Sequence, residues 1–157
     1  WMLDRPHRQA LSVPVSEERD TVSIELRRMN AKRSLSFDGG VKMTITLTGD
    51  ATLLENNSNL DMMTPEVPDA IKRKLEQDTE KRIGRLVKKL QNEVKSDVIH
   101  VGDTIFRNRP GRWRSLMNNW DAEFAQAKIT VRVRLKFVRF GLTGAPGHLK
   151  ENDIQRS

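Results

Sequence analysis

Cysteine and tyrosine are both absent from this 157-residue chain, and aromatic residues make up only 5% of it. Without a thiol there is no disulfide, no thiolate nucleophile and no Cys-ligated metal, although a cysteine-free chain suits any redox compartment. Long apolar runs are missing too, since none approaches the ~20 residues that a membrane-spanning helix requires. The opening Trp-Met-Leu-Asp has neither the basic nor the apolar region of a signal peptide. A chain that opens on Trp1 reads as a piece of a longer protein, with any targeting signal or anchor upstream.

The vocabulary of catalysis is equally thin. Three histidines, His7, His100 and His148, are scattered, with no HExxH and no carboxylate–His spacing suited to a metal. No glycine pattern matches GxxxxGK[ST] or GxGxxG, and no serine sits in GxSxG. Glu76, Asp78 and Glu80 have Lys and Arg at helical spacing around them and read as a solvated face. The expectation is a protein that is not an enzyme, with no metal and no cofactor.

What the chain does have is charge: 31% of residues are charged, 36% are hydrophobic, and net charge is +7. A chain of this length buries roughly two-thirds of its unfolded surface, so a modest core under a charged exterior is expected. A sequence pI of about 10.0 points to acidic partners, whether nucleic acid, anionic lipid or an acidic protein face.

Periodicity divides the chain into strands and helices. Leu11, Val13 and Val15 alternate with Ser12 and Pro14, which marks an edge strand because proline cannot donate to ladders on both sides. Val22, Ile24 and Leu26 alternate with polar residues and predict a half-buried strand. In SLSFDGGVKMTITLTG, a loop of Asp38, Gly39 and Gly40 pairs Leu35 with Met43 and gathers the apolar residues on one face, whereas a shorter loop would split them. Residues 50–64 read as irregular. Thr64-Pro65 offers a cap and first residue for a helix running to about residue 95, and Pro68 an equally good later start. Ile71 and Leu75 form one stripe on it, and Ile83, Leu86, Val87, Leu90 and Val94 a better one, so the second half is expected to dock and the first to project, bend near Gly84 or meet something else. Ser96-Asp97 can cap a second helix, which Pro110 ends. Ile129 to Phe137 alternates with Thr130, Arg132, Arg134 and Lys136, the clearest strand in the chain.

Two of the three tryptophans stand in PGRWRSLMNNWDAEF. On a helix, Trp113, Leu116, Met117, Trp120 and Phe124 share an arc of about 100°, the width of a core-facing stripe. The indoles therefore read as inward anchors, not as an exposed stacking platform. The basic residues around them remain candidates for interaction. Arg107, Arg109, Arg112 and Arg114 cluster about Pro110, while Arg132, Arg134 and Lys136, with Lys42 across the sheet, form a ladder on one exposed face. Like charges on neighbouring strands repel, so such a face invites an acidic partner, with Glu25 as a partial neutraliser.

The run from Lys95 to Gly144 resembles the closing segment of the Ger(x)C (GerAC-like) family, the C subunits of bacterial spore germinant receptors. The resemblance is carried by Lys95-Ser96-Asp97, Gly102, Phe106-Arg107, Pro110, Trp113, Asn119-Trp120-Asp121, Phe124 and the basic strand ending Arg139-Phe140-Gly141-Leu142. With the charged helix after Pro65 and the opening Trp1-Met2-Leu3, it extends over residues 1–144. Departures are mild: the family pattern has a more polar residue where Phe140 precedes Gly141, and the turn loop here is Asp-Gly-Gly. The resemblance implies a lipoprotein held by a lipidated N-terminal Cys on the outer face of the spore inner membrane. It implies integral-membrane A and B subunits as partners in nutrient-triggered germination, and no enzymatic activity. Ser96, Asp97, Gly102, Pro110, Trp113, Trp120, Phe124 and Gly141 carry over as architectural positions only.

The reading is one α+β domain over residues 1–144, followed by a polar tail, 145–157, expected to be disordered. An antiparallel sheet is expected from strands near 10–15, 21–28, 33–37, 41–48 and 129–140. A long helix near 65–95 and two shorter ones near 97–109 and 111–120 should pack on one face. Its expected role is an interaction module that contacts receptor subunits or an anionic membrane surface through the basic sheet face or the projecting half of the long helix. The alternative is a basic nucleic-acid-binding module, although no nucleic acid is expected as partner.

Overall fold

In the computed structural model, residues 9–14, 21–61 and 63–139 are described. Expectations at Trp1, Phe140, Gly141 and the 145–157 tail lie outside these residues. The sheet has four strands in the order β1-β2-β3-β4: β1 (Gln9–Pro14), β2 (Thr21–Ser36), β3 (Lys42–Asn57) and β4 (Lys128–Arg139). Alternation drives it. Val22, Ile24 and Leu26 of β2, Met43, Ile45 and Leu47 of β3, and Val133 and Leu135 of β4 all turn to one face and are buried. The β2–β3 hairpin has the expected register, Leu35 opposite Met43. Its loop uses Gly39 and Gly40 at φ of 69° and 114°, conformations that cost a side-chain-bearing residue.

Two strands expected at 21–28 and 33–37 are one bulged strand. Arg27 pairs with Asp50 and Asn30 with Thr48, so Arg28 and Met29 together face one residue of β3. Arg28 adopts a φ of 49° and its guanidinium pairs with Asp50. The extra residue moves the inward set from even to odd numbers, and buried Met29 opens the new phase. Strand β3 also outruns the expected 41–48. Ala51 and Leu53 continue its buried row, and a second bulge turns Leu54 outward to 46% exposure.

The α+β class is the observed one, but the sheet is antiparallel only through β1, β2 and β3. Strand β4 runs parallel to β3, with Met43 opposite Ile129 and Leu47 opposite Val133. Chain geometry explains the change. Helix α1 (Glu66–Lys89) starts beyond the far end of β3 and, at ~1.5 Å per residue, returns the chain roughly 36 Å to the hairpin end. Three short helices, α2 (Val101–Asn108), α3 (Pro110–Leu116) and α4 (Trp120–Gln126), follow. Strand β4 then departs beside the start of β3, where the Lys128 amide donates to the Val41 carbonyl at 2.9 Å.

The helices differ from expectation in three ways. First, α1 is not capped by the Thr64 side chain; Pro65 precedes it, and the Thr64 carbonyl accepts from the Val67 amide at 3.1 Å. Second, the better stripe does not dock as a whole, and the first half meets the sheet instead of projecting. Pro68, Ile71 and Leu75 are buried, whereas Leu86 and Val94 from the better-looking stripe are 47% and 52% exposed. The first half lies along β4 with carboxylates against the strand, which the apolar count alone undervalues. A wider turn of π type, Leu90–Val94, ends this helix and points Gln91 inward. Its side-chain amide donates to the Phe124 and Ala127 carbonyls, both at 2.8 Å. Third, the tryptophan segment is not one helix. A tight turn at Met117–Asn119 separates α3 from α4, and Asn119 leaves helical geometry at φ −129°, ψ 30°. The break leaves Met117 49% exposed while Phe124 is buried.

Candidate functional site: a cationic sheet face and the tryptophan clasp behind it

The helices pack on the buried face of the sheet, which leaves the other face of β2–β4 uncovered by any described helix. Alternation decides what stands there. Lys42, Thr44, Thr46 and Thr48 of β3 point away from the core and form a central column. Strand pairing sets cations beside it in rows: Ser36–Lys42–Lys128, Ser34–Thr44–Thr130, Lys32–Thr46–Arg132 and Asn30–Thr48–Arg134. These rows hold Lys32, Lys42, Lys128, Arg132 and Arg134 and no carboxylate. The next row adds Lys136 opposite Asp50, the partner of Arg28. Glu25 pairs with Arg27 at 2.5 Å.

The eight basic candidates fall on two separate surfaces. Lys42, Arg132, Arg134 and Lys136 belong to the open sheet face, but Lys42 stands opposite Lys128 and not beside Arg132. Arg107, Arg109, Arg112 and Arg114 belong to the helical layer and cannot join that ladder. Arg107 pairs with Asp103 at 2.9 Å, Arg109 donates to the Asn108 carbonyl at 3.1 Å, and the Arg112 guanidinium lies 5.7 Å from the centre of the Phe37 ring. Arg114 is exposed. Sequence reasoning missed Lys32 and Lys128 as members of the face. The signal was present in KMTITLTG, whose polar phase runs from Lys42 through three threonines, but only strand order reveals what flanks it.

Behind the sheet, the tryptophans close a clasp. Asp97 accepts from the Val101 and Gly102 amides at 2.9 and 2.7 Å, which caps α2 from four residues upstream. The same carboxylate accepts from the Trp120 indole N–H at 3.2 Å. Trp113 and Trp120 meet edge to face with centroids 5.2 Å apart, and Trp120 continues to Phe124 at 6.2 Å, a favoured aromatic arrangement. Both indoles are half-buried against the core. Gly102 lies directly beneath them: a Cβ there would come within 2.9 Å of Trp113 and 3.0 Å of Trp120. Pro110 opens α3 at its first position, and Ser96 is exposed beside Asp97.

The sequence profile of the family described as "Spore germination B3/ GerAC like, C-terminal" matches residues 1–141. The chain belongs to that family. Among its relatives in Bacillus subtilis (strain 168), spore germination protein KC is 26% identical over 152 residues, covering 93% of this chain and 36% of the relative. Spore germination protein YndF is 22% identical over 126 residues, covering 80% of this chain and 31% of the relative. The chain thus spans about a third of the length of the curated relatives it matches. A solved structure, the crystal structure of the GerBC protein, superposes with a TM-score of 0.68 at 18% identity and covers 83% of this chain and 41% of that one. That likeness concerns the fold.

In this GerAC-like domain, the most informative site residues are ones that the sequence disguised as solvated. Strand β4 is the edge of the sheet, and its free amides need partners. Glu80 of α1 accepts from the Val133 amide at 2.8 Å, and Glu76, one turn earlier, accepts from the Leu135 amide at 2.7 Å. The i,i+4 spacing of the two carboxylates matches alternate amides along the strand. The two carboxylates that flank β4 are therefore committed to the backbone, though Glu80 also stands 4.0 Å from Arg134. Among the described residues, no helix is long and apolar enough to cross a membrane, and no group of three or more acidic or histidine side chains could hold a metal.

Proposed function

We propose that this chain is a non-enzymatic interaction domain in the C subunit of a spore germinant receptor, needed for nutrient-triggered germination together with integral-membrane A and B subunits. On this reading, the whole protein is a lipoprotein on the outer face of the spore inner membrane, held by a lipidated N-terminal cysteine. Family membership supports the germination role. The observation that carries the interaction role is the open sheet face, where four successive rows hold five cations, in three of the rows, and no carboxylate. Such an array is unfavourable in isolation, and an acidic surface of a partner subunit relieves it. The helical-layer arginines are secondary candidates, since Arg107 and Arg112 are already engaged by Asp103 and Phe37.

The test is charge reversal on the face: Arg132→Glu and Lys136→Glu with Arg134→Gln, the last kept neutral because Glu80 stands 4.0 Å away. Circular dichroism and the melting temperature should match the parent. Spores carrying the variant in the full-length protein should lose nutrient-triggered germination or receptor assembly. Normal germination at a normal protein level would show the face to be idle.

A further inference from the structure

At the hairpin end of the open face, six side chains from three strands converge. Strand pairing sets Ser36, Lys42 and Lys128 in one row and Ser34, Thr44 and Thr130 in the next. Together they ring a shallow depression of about 240 Å³, floored by the backbone of Leu35 and Met43. Adjacent strands lie about 4.8 Å apart and same-face neighbours about 6.6 Å, so the grid spans one small ligand. We infer that this cradle is a subsite for a phosphate-type oxyanion. The inference stands on the cradle's own chemistry and is independent of the receptor reading.

Three features lead there. Lys42 and Lys128 are direct cross-strand neighbours, and two ammonium groups so placed repel unless an anion lies between them. Their compensation is slight. Lys42 reaches Asp38 only at 3.9 Å, where Asp38 stands 97% exposed on the hairpin loop, and Lys128 has no ion-pair partner among the described residues. The four hydroxyls of Ser34, Ser36, Thr44 and Thr130 make no hydrogen bond to another described residue, and each is a donor. Two cations flanked by four hydroxyl donors match the several acceptor oxygens of a tetrahedral oxyanion. The depression is small and its rim is two cations and four hydroxyls, so recognition is of the anionic group itself. That group reaches the site either as a free phosphate or as the headgroup of an anionic lipid.

The experiment uses this 157-residue chain. Amide resonances are followed by NMR while inorganic phosphate is added, with chloride at matched ionic strength as control, and pelleting is measured with phosphatidylglycerol and phosphatidylcholine vesicles. Saturable phosphate-specific shifts at Ser34, Ser36, Thr44 and Thr130 are expected. They should weaken about tenfold or more in Lys42→Gln/Lys128→Gln and also in Thr44→Val/Thr130→Val, while Arg132→Gln changes them little. Binding to phosphatidylglycerol vesicles alone, lost in the same lysine variant, would assign the oxyanion to a lipid headgroup. Absence of both, or binding that ignores the lysine and threonine substitutions in proteins whose spectra remain dispersed, overturns the inference.

Discussion

Replacing Gly102 with alanine sets two magnitudes against each other. Within a helix, glycine to alanine ordinarily stabilises by up to about 1 kcal/mol. At Gly102, however, the new methyl group meets the Trp113 ring at 2.9 Å and the Trp120 ring at 3.0 Å. These atoms belong to rigid rings, one braced against the other at 5.2 Å and one tied to Asp97 by its indole N–H. Neither can swing aside as a flexible side-chain end would. Overpacking of this kind costs about 1–3 kcal/mol, so the clash wins, and Gly102→Ala should destabilise by about 1–2 kcal/mol. For a chain of this size the melting temperature should fall by roughly 3–6 °C, and the urea midpoint should drop without a change in slope. Gly84 in α1 supplies the control, because a Cβ there meets nothing within 4 Å, and Gly84→Ala should stabilise by about 0.5–1 kcal/mol. Trp113→Leu should offset part of the Gly102→Ala cost in a double-mutant cycle. If Gly102→Ala is as stable as the parent, or if both glycine variants gain stability alike, the clasp does not press on α2 as the distances require.

Asp97→Ala removes the acceptor of two backbone amides and one indole N–H; a loss of about 1–3 kcal/mol is expected, with a shift in tryptophan fluorescence, and an unchanged denaturation midpoint would refute the cap. Glu76→Ala/Glu80→Ala frees the Val133 and Leu135 amides. This variant should lose at least about 2 kcal/mol, about 1–3 for each amide, and self-associate with rising concentration in analytical ultracentrifugation, as an uncovered strand edge does. Gln91→Leu keeps the volume but strands the Ala127 carbonyl, while the Phe124 carbonyl keeps only the Ala127 amide at 3.2 Å; chemical denaturation should report a loss of about 1–3 kcal/mol, and a neutral result would mean that water replaces the amide freely.

Short-range alternation made much of the sheet legible. The phase of Met43, Ile45 and Leu47 and the need to bury it with Leu35 selected the hairpin register. Where the phase slipped, the reading failed. The bulge at Arg28 moves the inward set by one residue, and a break in alternation looks the same whether the strand ends or bulges. The direction of β4 was hidden for a different reason. It depends on the single long helix that returns the chain to the hairpin end, a property of lengths summed over the whole crossover. The candidate face was half legible, because the outward phases of β3 and β4 could be read separately. That Lys42 faces Lys128, and that Thr46 lies between Lys32 and Arg132, follows only from pairing. Glu76 and Glu80 were misread because local spacing matches them to Lys and Arg, whereas their backbone partners lie more than fifty residues away.

The edge carboxylates and the open face are two sides of one allocation of charge. Strand β4 needs acceptors along its free edge, and the fold supplies them from α1, which leaves Glu80 only a 4.0 Å approach to Arg134 on the outer surface. Backbone amides buried without partners cost about 1–3 kcal/mol each, while an exposed like-charge pair costs a fraction of that in water. Commitment of Glu76 and Glu80 to Leu135 and Val133 is therefore favoured over neutralising the lysines and arginines beyond them. The repulsion that persists across Lys32, Lys42, Lys128, Arg132 and Arg134 is small enough for the domain to tolerate alone. Spread over four rows of a rigid sheet, it is also pre-positioned to be relieved at once by a single acidic surface, with little ordering cost at the moment of contact.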